Sequence, residues 1–149
     1  MRYSQAELGR VFILKLESGE IIHETIENFA EQHHIKAGVV LIVGGGGGED
    51  STLVVGPEDS KARPITVMER SLDDAHEITG FGTLFMSDEE KSVLHMHISA
   101  GRAGASTTGC IRRGVKVWGM LEVIILEITN TKASKQYVKD MNNFVLFTN

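Results

Sequence analysis

The chain has 149 residues, 42% of them hydrophobic and 23% charged, with a formal net charge of −5. These are globular averages that exclude disordered, fibrous and low-complexity classes, and a domain of this length buries roughly two-thirds of the surface its unfolded chain exposes. The negative charge argues against binding nucleic acid through phosphate contacts, which needs clustered Lys and Arg, and only Arg112, Arg113 and nearby Lys116 form a basic cluster.

Met1 to Gln5 carries no apolar leader, and no stretch approaches the ~18 apolar residues of a spanning helix. The expected setting is therefore the cytoplasm, without a membrane partner. Residues 11–16 are apolar and partly β-branched and end at the turn signal Glu17-Ser18-Gly19-Glu20, which predicts a strand. A helix follows from about Glu20 to His34, because Ile22, Ile26, Phe29, Ala30 and His33 recur at helical spacing, with Glu24, Glu27, Glu31 and Gln32 on the other face. His33 and His34 suit the electronegative end of that helix.

Residues 37–43 form an apolar run too short for a stable helix, so a buried strand is expected to feed Gly44 to Gly48. Glu49-Asp50 follows where a phosphate-binding loop would need Lys and Ser or Thr, and a close-packed strand exit accounts for the glycines better. Further strands are predicted at residues 52–55, 65–68, 77–85, 93–100, 107–112 and 117–129. The short turns at 87–90 and 102–105 favour antiparallel hairpins. With no repeat and no linker, residues 1–149 read as a single α/β domain of the α+β type.

Leu94-His95-Met96-His97-Ile98 alternates, so both imidazoles project from one face of a strand and the apolar residues from the other. Imidazole suits zinc, copper, nickel and iron, but two ligands do not hold a metal. Cys110, the only cysteine and so free of any intramolecular disulfide, supplies a third. If Ala103-Gly104 is a two-residue turn, opposed positions sum to 207 and Cys110 faces His97, with Cβ atoms about 5 Å apart. The same register places Arg112 opposite His95. A turn at 87–90 with Met86 opposite Lys91 would likewise set Gly80 across from His97 and Gly82 across from His95, leaving room beside the rings. A His2Cys set leaves the fourth position for water, substrate or another protein ligand. His76 fits that position by residue type but is expected about 13 Å along the strand from the level of His97, reaching the site through a bend or from a neighbouring chain.

Leu94-His95-Met96-His97, Gly101-Arg102, Thr108-Gly109-Cys110-Ile111 and the strand at 117–128 resemble the plant and prokaryote conserved (PPC) domain. Gly9-Arg10-Val11-Phe12, the Gly19-Glu20 turn, the glycine run and Glu77-Ile78-Thr79-Gly80 stand in the family's order, so the resemblance covers nearly the whole chain. It implies a mixed, largely antiparallel sheet with flanking helices, a homotrimer, and a three-histidine metal unit. Two of those histidines fall on His95 and His97. The third falls on Cys110, a change from imidazole to thiolate that favours zinc over harder ions. In plants the domain follows AT-hook segments that bind the minor groove; this sequence has none, so nucleic acid is not an expected partner.

The other candidates have simpler uses. Asp73-Asp74 and Asp88-Glu89-Glu90 are solvated turns, Glu77 is a surface residue, and Trp118 and Phe144 are core or interface residues. Arg102 and Arg112 flank the histidines and suit either an ion pair or a clamp on a small anionic ligand. The sequence thus predicts a zinc-binding homotrimer, or one holding another divalent transition metal, whose chemistry, if catalytic, is metal-assisted hydrolysis or lyase chemistry on a small anionic metabolite. The rival reading is a non-catalytic interaction or regulatory module with a structural metal, or with its three-ligand unit altered out of use.

Overall fold

A computed structural model describes residues 1–147. Eight strands form one sheet: β1 (Glu7–Glu17), β2 (Ala37–Gly47), β3 (Thr52–Pro57), β4 (Val67–Ser71), β5 (Ala75–Met86), β6 (Ser92–Arg102), β7 (Ala105–Cys110) and β8 (Val117–Thr129). Their spatial order is β1-β8-β2-β5-β6-β7-β3-β4, and each adjacent pair is antiparallel. A separate hairpin, β9 (Ser134–Val138) and β10 (Asn143–Phe147), is tied to the sheet by a parallel bridge from Lys135 to Ser87. The sequence reading missed this hairpin, because residues 131–143 are mostly polar and lack a clean alternation.

Only one α-helix, α1 (Ile22–Gln32), occurs among the described residues, with a single 3-10 turn at Lys139–Met141, so the expected flanking helices reduce to one. No side-chain cap opens α1. Burial of Ile22, Ile26 and Ala30 against the sheet holds it instead, each isoleucine contributing about 1.5–3 kcal/mol. The core lies on that face, where Ile22, Ile26 and Ala30 share one buried cluster with Val40 and Ile42 of β2, Met96 and Ile98 of β6, and Val123 of β8.

The helical pattern predicts that Glu24, Glu27 and Glu31 all face solvent; Glu27 is instead half-buried, and Glu31, though exposed, turns one carboxylate oxygen to the sheet. β7 pairs with β6 only as far as Cys110 opposite His97, so the β6 edge beyond is open. There the Leu94 amide donates to Glu27 Oε1 at 2.7 Å and the Ser92 amide donates to Glu31 Oε1 at 3.1 Å. Carboxylates four apart on a helix and amides two apart on a strand both advance about 6 Å, so the helix supplies the acceptors that a neighbouring strand would.

The glycine run is part of β2, which continues to Gly47. A Cβ on Gly45 would overlap the Trp118 carbonyl oxygen, so the run is a close approach between backbones.

Candidate metal centre and its cavity

The β6–β7 hairpin closes through Ala103 (φ +50°) and Gly104 (φ +81°), the two positive dihedrals of a type I′ turn. The register that this turn sets pairs His97 with Cys110, as the sequence arithmetic requires. In the other hairpin, Met86 pairs with Ser92 and not with Lys91. The Ser87 amide donates to the Lys91 carbonyl across a three-residue loop in which Glu90 adopts φ +59°, and that added residue moves the register by one. Phe81 and Thr83 therefore stand beside His97 and His95, while Gly80 and Gly82 pair with Ile98 and Met96 on the core face. A Cβ on Gly82 would lie 2.7 Å from the Met96 Cβ, so these glycines accommodate the core and leave no space beside the imidazoles.

His95, His97 and Cys110 bring one ligand atom each to within 4.8 Å of one another, with both histidines exposed and the cysteine buried. The two Nε2 atoms are 3.2 Å apart. Two nitrogens on a tetrahedral zinc at 2.0–2.1 Å are separated by about 3.3 Å, so the donor set fits that ion. Burial holds the His95 pKa below its ordinary value, helped by the charges of Lys135, His97 and Arg112, which favours the neutral imidazole that a metal needs.

His76 is not brought to this cluster. It lies at the far end of β5, where its Nδ1 is 2.6 Å from the Asp74 carbonyl oxygen and Asp74 pairs with Arg102. Glu77 is exposed. Arg102 is thereby committed at the turn, whereas Arg112 shares a cavity with His95 and Cys110.

That cavity, of about 420 Å³, holds the groups that sequence reading missed. Lys135 lies only 2% exposed, and its Nζ donates to the carbonyls of Val93 at 3.2 Å and Thr83 at 3.4 Å. Burial draws its pKa down to about 8, and Glu27 and Cys110 act in the opposite direction. Burial raises the pKa of Glu27. His23, also facing the cavity, has a depressed pKa from burial and a buried Nδ1 without a hydrogen-bond partner. Nothing in the segment around Lys135 marks it as buried, since lysine is almost never fully buried unless paired. The cavity is closed by Tyr137 and Phe144, a T-shaped pair with centroids 5.7 Å apart.

The sheet face that carries the histidines is apolar. One cross-strand row runs Ile13, Ile124, Leu41, Phe81, His97, Cys110. Ile13 is 82% exposed and Phe81 58%. No helix among the described residues is long and apolar enough to cross a membrane.

A family model described as the Plants and Prokaryotes Conserved (PCC) domain matches residues 3–129. Among solved structures, a metal-containing protein from Archaeoglobus fulgidus superposes with a TM-score of 0.82 at 21% identity, covering 99% of each chain. A plant- and prokaryote-conserved (PPC) protein from Pyrococcus horikoshii gives 0.80 at 18% identity, covering 100% of this chain and 98% of that one. A candidate DNA-binding protein from Ralstonia eutropha gives 0.69 at 14% identity, covering 92% and 90%. At these identities the superpositions establish the shared fold. No functionally curated protein matches the chain.

Proposed function

Because this chain belongs to the Plants and Prokaryotes Conserved domain family, we propose that it is a zinc-binding homotrimer in which His95, His97 and Cys110 hold the ion beside a cavity for a small anionic metabolite. The observation that carries this reading is the convergence of two exposed imidazoles and one buried thiol within 4.8 Å. Two nitrogens and a sulfur suit zinc better than magnesium or calcium, which take oxygen ligands. Three protein ligands leave a position open, the feature that separates catalytic from structural zinc. Bound there, zinc would supply Lewis acidity to an oxygen of the ligand. The reaction classes to assay are hydrolysis and lyase cleavage.

The name of the Archaeoglobus protein supports the metal, and the apolar row through Ile13, Ile124 and Phe81 supports self-association, since exposed apolar patches of this kind mark interfaces. The names of some structural neighbours as candidate DNA-binding proteins do not alter the reading, because the net charge is −5 and the cavity is built for a small molecule.

Metal content tests the site. Protein purified without chelator should carry about one zinc per chain, and Cys110→Ser should lose most of it; no stoichiometric metal in the native protein sinks the proposal. Sedimentation tests the assembly: the native protein should have three times the chain mass and Ile124→Lys should lower it, whereas a monomeric native mass removes the trimer.

A further inference from the structure

We infer that the cavity enclosed by α1, the open β6 edge and the β9–β10 hairpin binds a small monocarboxylate with an apolar body, its carboxylate held by Arg112 and Lys135. The inference deepens the small-anion reading above by naming the ligand class and its receptors.

Charge decides the first part. Five charged side chains line the cavity: Glu27, Glu89, Lys91, Arg112 and Lys135. Lys91 and Glu89 pair with each other at 3.2 Å. Glu27 and Lys135 act on each other's ionisation as opposite charges. Arg112 makes no ion pair among the described residues, so without a metal the lining carries one uncompensated positive charge. A monoanion neutralises it. A dianion would bring a second charge out of water without a partner, and a neutral isostere would leave the guanidinium unmatched.

Three further groups have hydrogen-bonding capacity to spare. An ammonium has three donors, and Lys135 Nζ spends two on backbone carbonyls. The Nδ1 of His23 and the Oγ of Ser92 are both buried without a partner, and buried polar atoms of that kind call for a water or a ligand atom. The remaining walls set apolar Val93, Leu94 and the rings of Tyr137 and Phe144 beside the amides of Asn142 and Asn143. A volume of about 420 Å³ lies within the range of small-ligand sites. A cationic end, three spare polar atoms and an aromatic wall together describe a compact carboxylic acid with an aromatic or branched body.

Calorimetric titration of the full chain with benzoate, isovalerate, benzamide and inorganic phosphate tests this, in chelator-treated and in zinc-loaded protein. The expected result is saturable binding of both carboxylates at one per chain in both metal states, with benzamide at least tenfold weaker in both and phosphate at least tenfold weaker in the chelator-treated protein. Arg112→Met should weaken benzoate at least tenfold at an unchanged melting temperature, and Phe144→Ala should weaken it while leaving the preference for acid over amide. Absence of carboxylate binding, equal binding of benzoate and benzamide, or tighter binding of phosphate to the chelator-treated protein overturns the inference; the comparison of acid with amide needs no variant. Binding that requires zinc and ignores Arg112→Met makes the ion the receptor, which overturns the inference and leaves the metal reading standing.

Discussion

Replacing Glu27 tests whether the helix stands in for a missing strand. Its Oε1 accepts from the Leu94 amide at 2.7 Å, one residue from His95, at the part of β6 that β7 leaves uncovered. Glu27→Ala removes a charge-assisted hydrogen bond, about 1.5–3 kcal/mol, and leaves a buried amide without an acceptor. Part of that loss is returned, because burial already disfavours the carboxylate and raises its pKa. The net cost should be about 1–2 kcal/mol, a fall in melting temperature of about 2–8 °C for a domain of this size. Glu27→Gln keeps an acceptor oxygen but removes the charge opposite Lys135, so it should cost less than Glu27→Ala, about 0.5–1 kcal/mol. Thermal melts and amide exchange read both variants. Leu94 should lose protection in Glu27→Ala and keep it in Glu27→Gln. A Glu27→Ala protein that melts with the wild type and still protects Leu94 would refute the substitution of helix carboxylates for a strand.

Acid should weaken the β1–β8 edge. Hydrogen bonding from Arg10 holds the Glu127 carboxyl at about 2, against an ordinary 4.5. A depressed folded pKa means that the stabilisation is complete above about 4.5 and is lost as pH falls through about 2. Because Arg10 is exposed, solvent screens the pair and its contribution is small. The difference in urea midpoint between wild type and Arg10→Met should therefore shrink from pH 5 to pH 2, and a constant difference contradicts the ion pair. Gly45→Ala should cost about 3 kcal/mol or more, because the overlap is with the Trp118 backbone and no side chain can give way. Gly104→Ala, at φ +81° with open space around it, should cost only backbone strain of about 1–2 kcal/mol; equal melting temperatures for the two variants would refute the close approach at Gly45.

The pairing of His97 with Cys110 was legible because a two-residue turn leaves no freedom: once Ala103 and Gly104 close it, every opposed pair is fixed. The β5–β6 register was not, because whether Glu90 counts as loop or strand depends on its own left-handed conformation, and an error of one residue sends Gly80 and Gly82 to the other face. The helix was legible from Ile22, Ile26 and Ala30, and the role of Glu27 was not, since a polar residue beside an apolar stripe signals solvent unless the strand beneath lacks a neighbour. Lys135 was hidden for a related reason. Its burial depends on a hairpin docking from the far end of the chain, and residue type argues against it. The cluster of His95, His97 and Cys110 was thus readable from local spacing, while the cavity beside it arises from contacts between segments distant in sequence.

X-ray absorption at the zinc edge of protein purified without chelator tests the central claim most directly. The account predicts a shell of one sulfur at about 2.3 Å and two imidazole nitrogens at about 2.0–2.1 Å, completed by a light atom, with the sulfur lost in Cys110→Ser. A zinc shell of nitrogen and oxygen alone, unchanged by Cys110→Ser, would contradict it.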